Sequence, residues 1–317
     1  NFMEMKVPAS VAAAAAQNER PVRESADTKA SASAPVEKHY VQFDAGPVEL
    51  ETPVPGVKLD FNYGVRMLVP QGNYHVRFID KDTSTILYDA DASNCLVTST
   101  KKYYINFRVE LYKDGQLIFA HDLDLKGRNV HIKYPVGTLG DIMAWFPYAR
   151  EFQKKHGCQV YCSMSEELEG LFQPAYPELK FIKPNTTPPD CYATYYMGIF
   201  FPATDRYHQP VDFRIVGLQL NIPFILGLEV VERRPVLLPG KKDREIKEPY
   251  VCIATQATSQ AKYWNNPAGW IEIVDYLKGL GYRVLCIDKE KCHGIGRHWN
   301  MIPYGAEDFT GARPLQE

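Results

Sequence analysis

Between His39 and about Lys126 the apolar residues come in short runs that are aromatic or β-branched and often alternate with polar ones: "VKLDFNYG", "RMLVPQGNYHVRFIDKD", "TILYDAD", "YYINFRVELYKDGQLIFAHDLDL". A repeat of two is the signature of half-buried strands. Gly, Pro, Asp and Asn separate the runs, and Asp114-Gly115 in "YKDGQ" supplies the positive φ that a tight hairpin needs. The pattern predicts an all-β module over 39–127, a sandwich or barrel of six or more strands, with nothing in it at catalytic spacing. From Arg128 the rhythm changes. "NVHIKYP" reads as a strand; residues 141–155 place Ile142, Trp145, Phe146, Ala149 and Phe152 on one helical face, and Gly157 ends that helix. "CQVYCSM" is the next strand, "SEELEGLFQPAY" a short helix and "LKFIKP" a third strand. "CYATYYMGIFF" and "FRIVGLQLNIPFILGL" continue the alternation. Residues 128–235 therefore read as a parallel-sheet domain with crossover helices.

"VLLPGKKDREIKEP" is charged and bracketed by prolines, as a linker would be. Beyond it the rhythm restarts: "YVCIA" as a strand and "TQATSQAKYWNNPAG" as a polar loop. A helix over 267–279 follows, with Asn266 as N-cap, Pro267 at its first position, and Trp270, Ile273, Val274 and Leu277 on one face. "GYRVLCID" is the next strand. Residues 236–317 thus read as a second α/β domain that is truncated. It holds about two of the five or six strands such a domain needs, and another strand and helix should follow "DFTGARPLQE". At the other end, residues 1–38 are rich in Ala, Ser, Glu and Lys. They bury too little to offset their ordering entropy and read as a disordered segment. The Ala run there is preceded by Glu4 and has no basic start, so it is not a secretory signal.

Composition narrows the setting. Hydrophobic content of 45% and charged content of 23% over 317 residues are those of a soluble globular protein. A net charge of −2 favours neither nucleic acid nor an anionic membrane as partner. No stretch is long and apolar enough to span a membrane. Seven cysteines, an odd number on a long chain, argue against a disulfide framework and for a reducing, cytoplasmic setting. Cys158 and Cys162, four apart on a strand, share a face. They are half of a metal site or, more simply, two buried thiols.

Two α/β domains joined by a linker enclose a cleft, and ligands of open parallel sheets bind outside the carboxyl ends of the strands. The polar loops 135–141 and 255–267 both lie at such ends. Backbone N–H groups at their helix junctions suit phosphate, so a nucleotide-linked substrate is expected although no Walker or Gly-x-Gly-x-x-Gly pattern is present. Asp141 follows the glycine loop at the start of a helix. It is a candidate catalytic carboxylate or a helix-start acid worth roughly 0.3–1 kcal/mol.

"GTLGDIMAWFPYAREF", "TSQAKYWNNPAGWIEIVDYLKGLGYRVLCID" and "DFTGARPLQE" together resemble the heptosyltransferases of two Rossmann-like domains, the glycosyltransferase B architecture. With the preceding β module and "IKYPVGTLGDIMAW", residues 39–317 resemble more closely the bacterial autotransporter heptosyltransferases. That resemblance implies an inverting transfer of heptose from ADP-heptose to serine hydroxyls of adhesin passenger domains, by an enzyme that forms a homo-oligomer. It implies that Asp141 is the general base, beside Gly137, Thr138 and Gly140. Lys262, with Thr258 and Ser259, would hold the diphosphate. Asp288, at the end of "LCID", would contact ribose or adenine. Trp264 and Trp270 would stack on adenine or pack in the core. "TDRYHQPVDFR" would line the acceptor side through Arg206 and His208, or be a plain surface loop. The family's glycine-rich diphosphate loop and iron-binding cysteines lie beyond the matched region. Cys252, Cys286 and Cys292 do not have ligand spacing, so iron is implied for a complete family member and assigned to no residue here. A lipopolysaccharide heptosyltransferase is the alternative enzyme, though the β module argues against it. A non-catalytic binding or assembly module is the alternative outside enzymes.

Overall fold

The computed structural model describes residues 45–135, 139–201, 205, 207–238, 245–257, 260–291, 294–295, 298–299 and 301–311. The segment 1–38, expected to be disordered, lies outside them. β1 (Lys58–Asn62) turns into β2 (Arg66–Val69) through Tyr63 and Gly64, both at positive φ. Gly64 is obligatory there, since a Cβ would stand 2.2 Å from the Lys101 carbonyl oxygen. β3 (Tyr74–Asp80), β4 (Thr85–Ala92), β5 (Cys95–Thr98), β6 (Phe107–Lys113) and β7 (Gln116–Asp122) follow. The β6–β7 hairpin turns at Asp114 and Gly115, with φ of 50° and 81°, as the Asp-Gly pair predicts.

β8 (Asn129–Lys133) leads into α1 (Leu139–Trp145), α2 (Pro147–His156), β9 (Gln159–Ser163), α3 (Glu166–Phe172), β10 (Lys180–Ile182) and β11 (Cys191–Tyr196). Two short helices come next, α4 (Phe213–Val216) and α5 (Asn221–Leu226). The last elements are β12 (Tyr250–Ile253), α6 (Pro267–Gly279), β13 (Arg283–Asp288), a small ribbon of β14 (Gly294–Ile295) and β15 (His298–Trp299), and β16 (Glu307–Thr310).

The fold is mixed α/β with an N-terminal sheet module. That module is the antiparallel sheet β4-β3-β6-β7. Its strands alternate as expected: Val76, Phe78, Phe107, Val109 and Leu111 are buried, while His75, Arg77, Arg108 and Tyr112 face outward. The expectation of a self-contained sandwich or barrel is corrected. β1, β2 and β5 join the α/β strands in one seven-stranded sheet, β10-β9-β8-β11-β1-β2-β5. β1 lies parallel to β11, with Phe61 opposite Ala193 and Asn62 opposite Thr194. Leu59 to Asn62 are all buried, which marks a strand covered on both faces. Local alternation does not report which sheet such a strand enters.

The single helix expected over 141–155 is two helices parted at Phe146. Pro147 lacks the N–H that would continue the ladder and takes the first position of α2 instead. The apolar face survives the break: Ile142, Trp145, Phe146, Ala149 and Phe152 are all fully buried, and Gly157 ends α2 at φ 61°.

Past residue 249 a separate parallel sheet, β12-β13-β16, has one strand more than the two expected, because "EDFT" pairs with β13. Asn266 caps α6 as predicted, its Oδ1 accepting from the Gly269 N–H at 3.0 Å. Val274 packs with Ile253, Val284 and Cys286, and Trp270 and Leu277 pack against that cluster. Ile273 is left 38% exposed, because the row 270-274-277 takes the sheet-facing position. No helix among the described residues is long and apolar enough to cross a membrane.

Candidate functional site

β1, β8, β9 and β11 end along one edge of the large sheet. Backbone bonds from Tyr134 N–H to Ser163 O, Met197 N–H to Lys133 O and Tyr63 N–H to Thr194 O hold that edge together, at 3.0, 2.8 and 3.1 Å. The loop to α1 leaves from the centre of this edge, and Asp141 stands half-buried in the first turn of the helix. Gly140, beside it, is exposed with open space around it. The helix under Asp141 is anchored firmly. Ile142 and Trp145 are buried, Trp145 Nε1 donates to Leu218 O at 3.0 Å, and Gln219 Nε2 donates to Ala144 O at 3.1 Å.

A pair that residue periodicity does not connect lies below the same edge. His131 Nε2 meets Ser163 Oγ at 2.8 Å, both side chains being buried. Burial, with Lys133 adding to it, pushes the His131 pKa down to about 4, so the ring is neutral. A histidine in the apolar run "NVHIKYP" was the available signal.

In the second sheet Lys262 ends a short 3-10 turn, Gln260–Lys262, on the loop after β12, and is exposed. That loop and the one after β13 are tied together: Gln256 Nε2 donates to Glu290 O at 3.2 Å. Asp288 closes β13 half-buried, and its Oδ1 accepts from the Glu290 N–H at 3.3 Å. Its carboxylate thus shapes its own loop. Trp270 packs edge-on against Trp264 at 5.1 Å and donates Nε1–H to the Trp264 carbonyl at 3.1 Å. Trp270 therefore serves the core and the loop, while Trp264 keeps much of its surface open. Gly137, Thr138, Arg206, Thr258 and Ser259 lie outside the described residues.

A contact between described residues relates the two sheet edges. Lys289, directly after β13, places Nζ at 2.9 and 3.0 Å from the two carboxylate oxygens of Glu167, in the first turn of the helix after β9. β9 is the neighbour of β8, whose loop carries Asp141; β13 is the neighbour of β12, whose loop carries Lys262. The carboxyl-end loops of both sheets thus meet at this ion pair, with the two candidate residues one strand away on either side. Ligands of open parallel sheets bind at such carboxyl-end edges.

Among the described residues no group of three or more His, Cys, Asp or Glu is placed to hold a metal ion. Cys158 and Cys162 are both buried, and burial pushes their thiols up, Cys158 to about 12. Cys252 is exposed, while Cys286 is buried with its Sγ 3.8 Å from Thr255 Oγ1. Cys292 lies outside the described residues. Among the described residues, no cluster of these side chains fits an iron site.

Residues 53–115 match the family model described as the N-terminal domain of glycosyltransferase TibC. The chain is 47% identical over 289 residues to the autotransporter heptosyltransferase BAHTCr of Citrobacter rodentium, covering 89% of this chain and 70% of the relative. It is 49% identical over 263 residues to the autotransporter heptosyltransferase TibC of Escherichia coli O78:H11, covering 81% of this chain and 64% of the relative. A crystal structure described as dodecameric iron-containing heptosyltransferase TibC in complex with ADP-D-beta-D-heptose superposes with a TM-score of 0.81 at 45% identity, over 86% of this chain and 72% of that one. These matches make the chain a glycosyltransferase by descent. It belongs to the autotransporter heptosyltransferase family, and it spans about two thirds of the length of the relatives named.

Proposed function

We propose that this chain carries the acceptor half, and part of the donor half, of an inverting enzyme. That enzyme moves heptose from ADP-heptose to serine hydroxyls of autotransporter adhesin passenger domains. The supporting observation is the meeting of the two carboxyl-end loop sets at Glu167 and Lys289, with Asp141 and Lys262 on the adjoining loops. In this reading the two parallel sheets are the two Rossmann-like domains of a glycosyltransferase B enzyme, divided near residue 235. The acceptor serine docks over the large sheet, and the nucleotide over the small one.

The chemistry then follows from charge. The Asp141 carboxylate takes the proton of the serine hydroxyl as that oxygen attacks the anomeric carbon from the face opposite ADP. The bond from that carbon to the β-phosphate oxygen breaks, and the electron pair leaves on ADP. The Lys262 ammonium offsets the charge that grows there. Gly140 leaves room for the sugar beside the acid. Asp288, whose carboxylate serves its own turn, reaches the nucleoside only as a secondary contact. The free cysteines among the described residues fit the reducing cytoplasm, where nucleotide sugars are made. By the example of its dodecameric relative, the full-length protein assembles from several copies.

The test is heptose transfer by the full-length protein to a passenger domain, read by mass spectrometry. Asp141→Asn should lower the transfer rate about 10²–10⁴-fold while ADP-heptose still binds, the range general-base removal commonly costs. Lys262→Ala should weaken ADP-heptose binding. A lipid-linked sugar offered in place of the passenger should accept nothing. Wild-type transfer by Asp141→Asn would remove the base from the mechanism, and transfer to the lipid acceptor alone would replace the proposed substrate.

A further inference from the structure

After α5 the chain crosses the large lobe as an extended strap, residues 229–238, before leading on to β12. Odd positions from Val231 to Leu237 are half-buried and even positions from Val230 to Leu238 are exposed. That is the period of extended chain lying on a surface. The strap belongs to no sheet, so its backbone groups need partners elsewhere. Side chains of the lobe supply them. Tyr148 Oη donates to Val231 O at 2.8 Å, Gln219 Nε2 donates to Arg233 O at 2.6 Å, and the Val236 N–H donates to Tyr176 Oη at 2.9 Å. Both tyrosines are almost fully buried, so two of these anchors are rooted in the packed core. Burial pushes the Tyr148 hydroxyl up to about 12, which keeps its proton in place as a donor.

Gln219 ties the strap to one element more. The same amide nitrogen donates to Ala144 O at 3.1 Å, in the last turn of α1, where carbonyls have no partner within the helix. Trp145 Nε1 holds the adjoining Leu218 by its carbonyl at 3.0 Å. Asp141 stands one turn back on α1, about 4.5 Å along the axis. One amide, spending both of its hydrogens, thus joins the helix of the candidate base to the segment that leads into the small sheet. The Glu167–Lys289 pair is largely exposed and a weak tie between the sheets. A covalent strap fastened at Val231, Arg233 and Val236 is the firmer one. Transfer between groups held on two sheets depends on that firmness, since a misplacement of about 1 Å costs on the order of 10²-fold in rate.

We propose that Gln219 is a positioning residue: it pins the strap to the base helix and so fixes how the Lys262 sheet stands against Asp141. This rests on the reading of Asp141 and Lys262 as base and phosphate cation. The test uses full-length Gln219→Leu, which keeps the size of the side chain and removes both donors. Position 219 is half-buried, so water can reach the two carbonyls and the variant should fold. The kcat for transfer to the passenger domain should fall at least tenfold, while ADP-heptose binding measured by calorimetry stays within twofold of wild type. Spin labels on unnatural residues at the exposed positions 154 and 276, one on each lobe, read the geometry without calling on transfer. Their distance distribution should broaden in Gln219→Leu. It should also broaden in Tyr148→Phe, which loosens the strap without touching α1 and should lower kcat less. Unchanged distances in both variants, or broadened distances with a wild-type kcat, overturn the proposal. A wild-type protein that transfers no heptose would sink the enzymatic reading, and the distances alone would then decide whether the strap holds the lobes.

Discussion

β9 and β13 each lie between two parallel neighbours, and each ends at a loop of the candidate site, yet they are covered very differently. Four of five positions of β9 are buried. Above it Phe146 stacks on Phe172 at 4.1 Å and meets Tyr176 at 4.8 Å and Phe181 at 5.8 Å. Among the described residues, the largest fully buried side chains all lie before residue 180. Around β13 the buried cluster is small; α6 leaves Ile271, Ile273 and Tyr276 exposed, and Leu280 at its C-terminal end is exposed too. The same rhythm of strand, polar loop and helix therefore builds cores of unequal weight. Three strands and one long helix do not cover what seven strands and several helices cover. The candidate base stands on the heavily packed side and the candidate phosphate cation on the lightly packed one.

The strongest way to break that contrast is to empty the large core. Phe146→Ala should cost about 3–5 kcal/mol, as truncation of a fully buried aromatic does. Urea unfolding of the purified protein reads this directly. A loss under about 1 kcal/mol would mean that the ring stack is not the anchor of the first sheet.

Acid probes the same core by another route. His131 is buried neutral with its pKa pushed down to about 4, and His156, also pushed to about 4 by burial, acts in the same direction. In the unfolded chain each takes up a proton near pH 6.5, whereas the folded protein resists until about 4. Stability should therefore fall as pH drops through that window, by on the order of 3 kcal/mol for His131 alone at 1.36 kcal/mol per unit. Melting curves from pH 7 to pH 4 for wild type and His131→Gln should converge at low pH as the variant loses this dependence. Parallel curves would show that His131 is not the titrating group. His75, outward on the four-stranded sheet, runs the other way: hydrogen bonds to Asp91 and Asp89 hold its pKa above the ordinary value. Its contribution is present at low pH and fades as pH rises through the folded value.

Much of this contrast is legible in the residues, though not evenly. The Asp114-Gly115 hairpin, the Asn266 cap, the Gly157 stop and the position of Asp141 at a helix start each depend on a few neighbouring residues, and each is where local chemistry puts it. What local pattern leaves silent is long-range. β1 pairs with β11 some 130 positions away in sequence, and a strand buried on both faces carries no mark of its partner. Pro147 was visible within "AWFPYA", but an apolar face that continues across it reads as one helix. The His131–Ser163 bond and the Glu167–Lys289 pair join residues that periodicity cannot connect.

In the lightly packed sheet the expected effects are smaller. Val274 is fully buried among Ile253, Val284 and Cys286. Val274→Ala removes about two methylene equivalents, worth about 1–2 kcal/mol at roughly 0.8 kcal/mol each. Hydrogen exchange of the β12 and β13 amides locates the loss. A cost as large as that of Phe146→Ala would place the two cores on an equal footing and undo the comparison.

The smallest effect tests how the two edges are held. Glu167 and Lys289 are both largely exposed, so their mutual attraction is screened by water and offset by the ordering of two long side chains. A double-mutant cycle of Glu167→Ala and Lys289→Ala should return a coupling of about 0.2–1 kcal/mol, falling further with added salt. A contact that weak marks where the edges meet without locking them together. In the proposed mechanism these loop sets admit a nucleotide sugar and a polypeptide and then release products, which requires that freedom. A coupling of several kcal/mol would instead make the pair a latch, and its removal would then speed substrate entry rather than leave it unchanged.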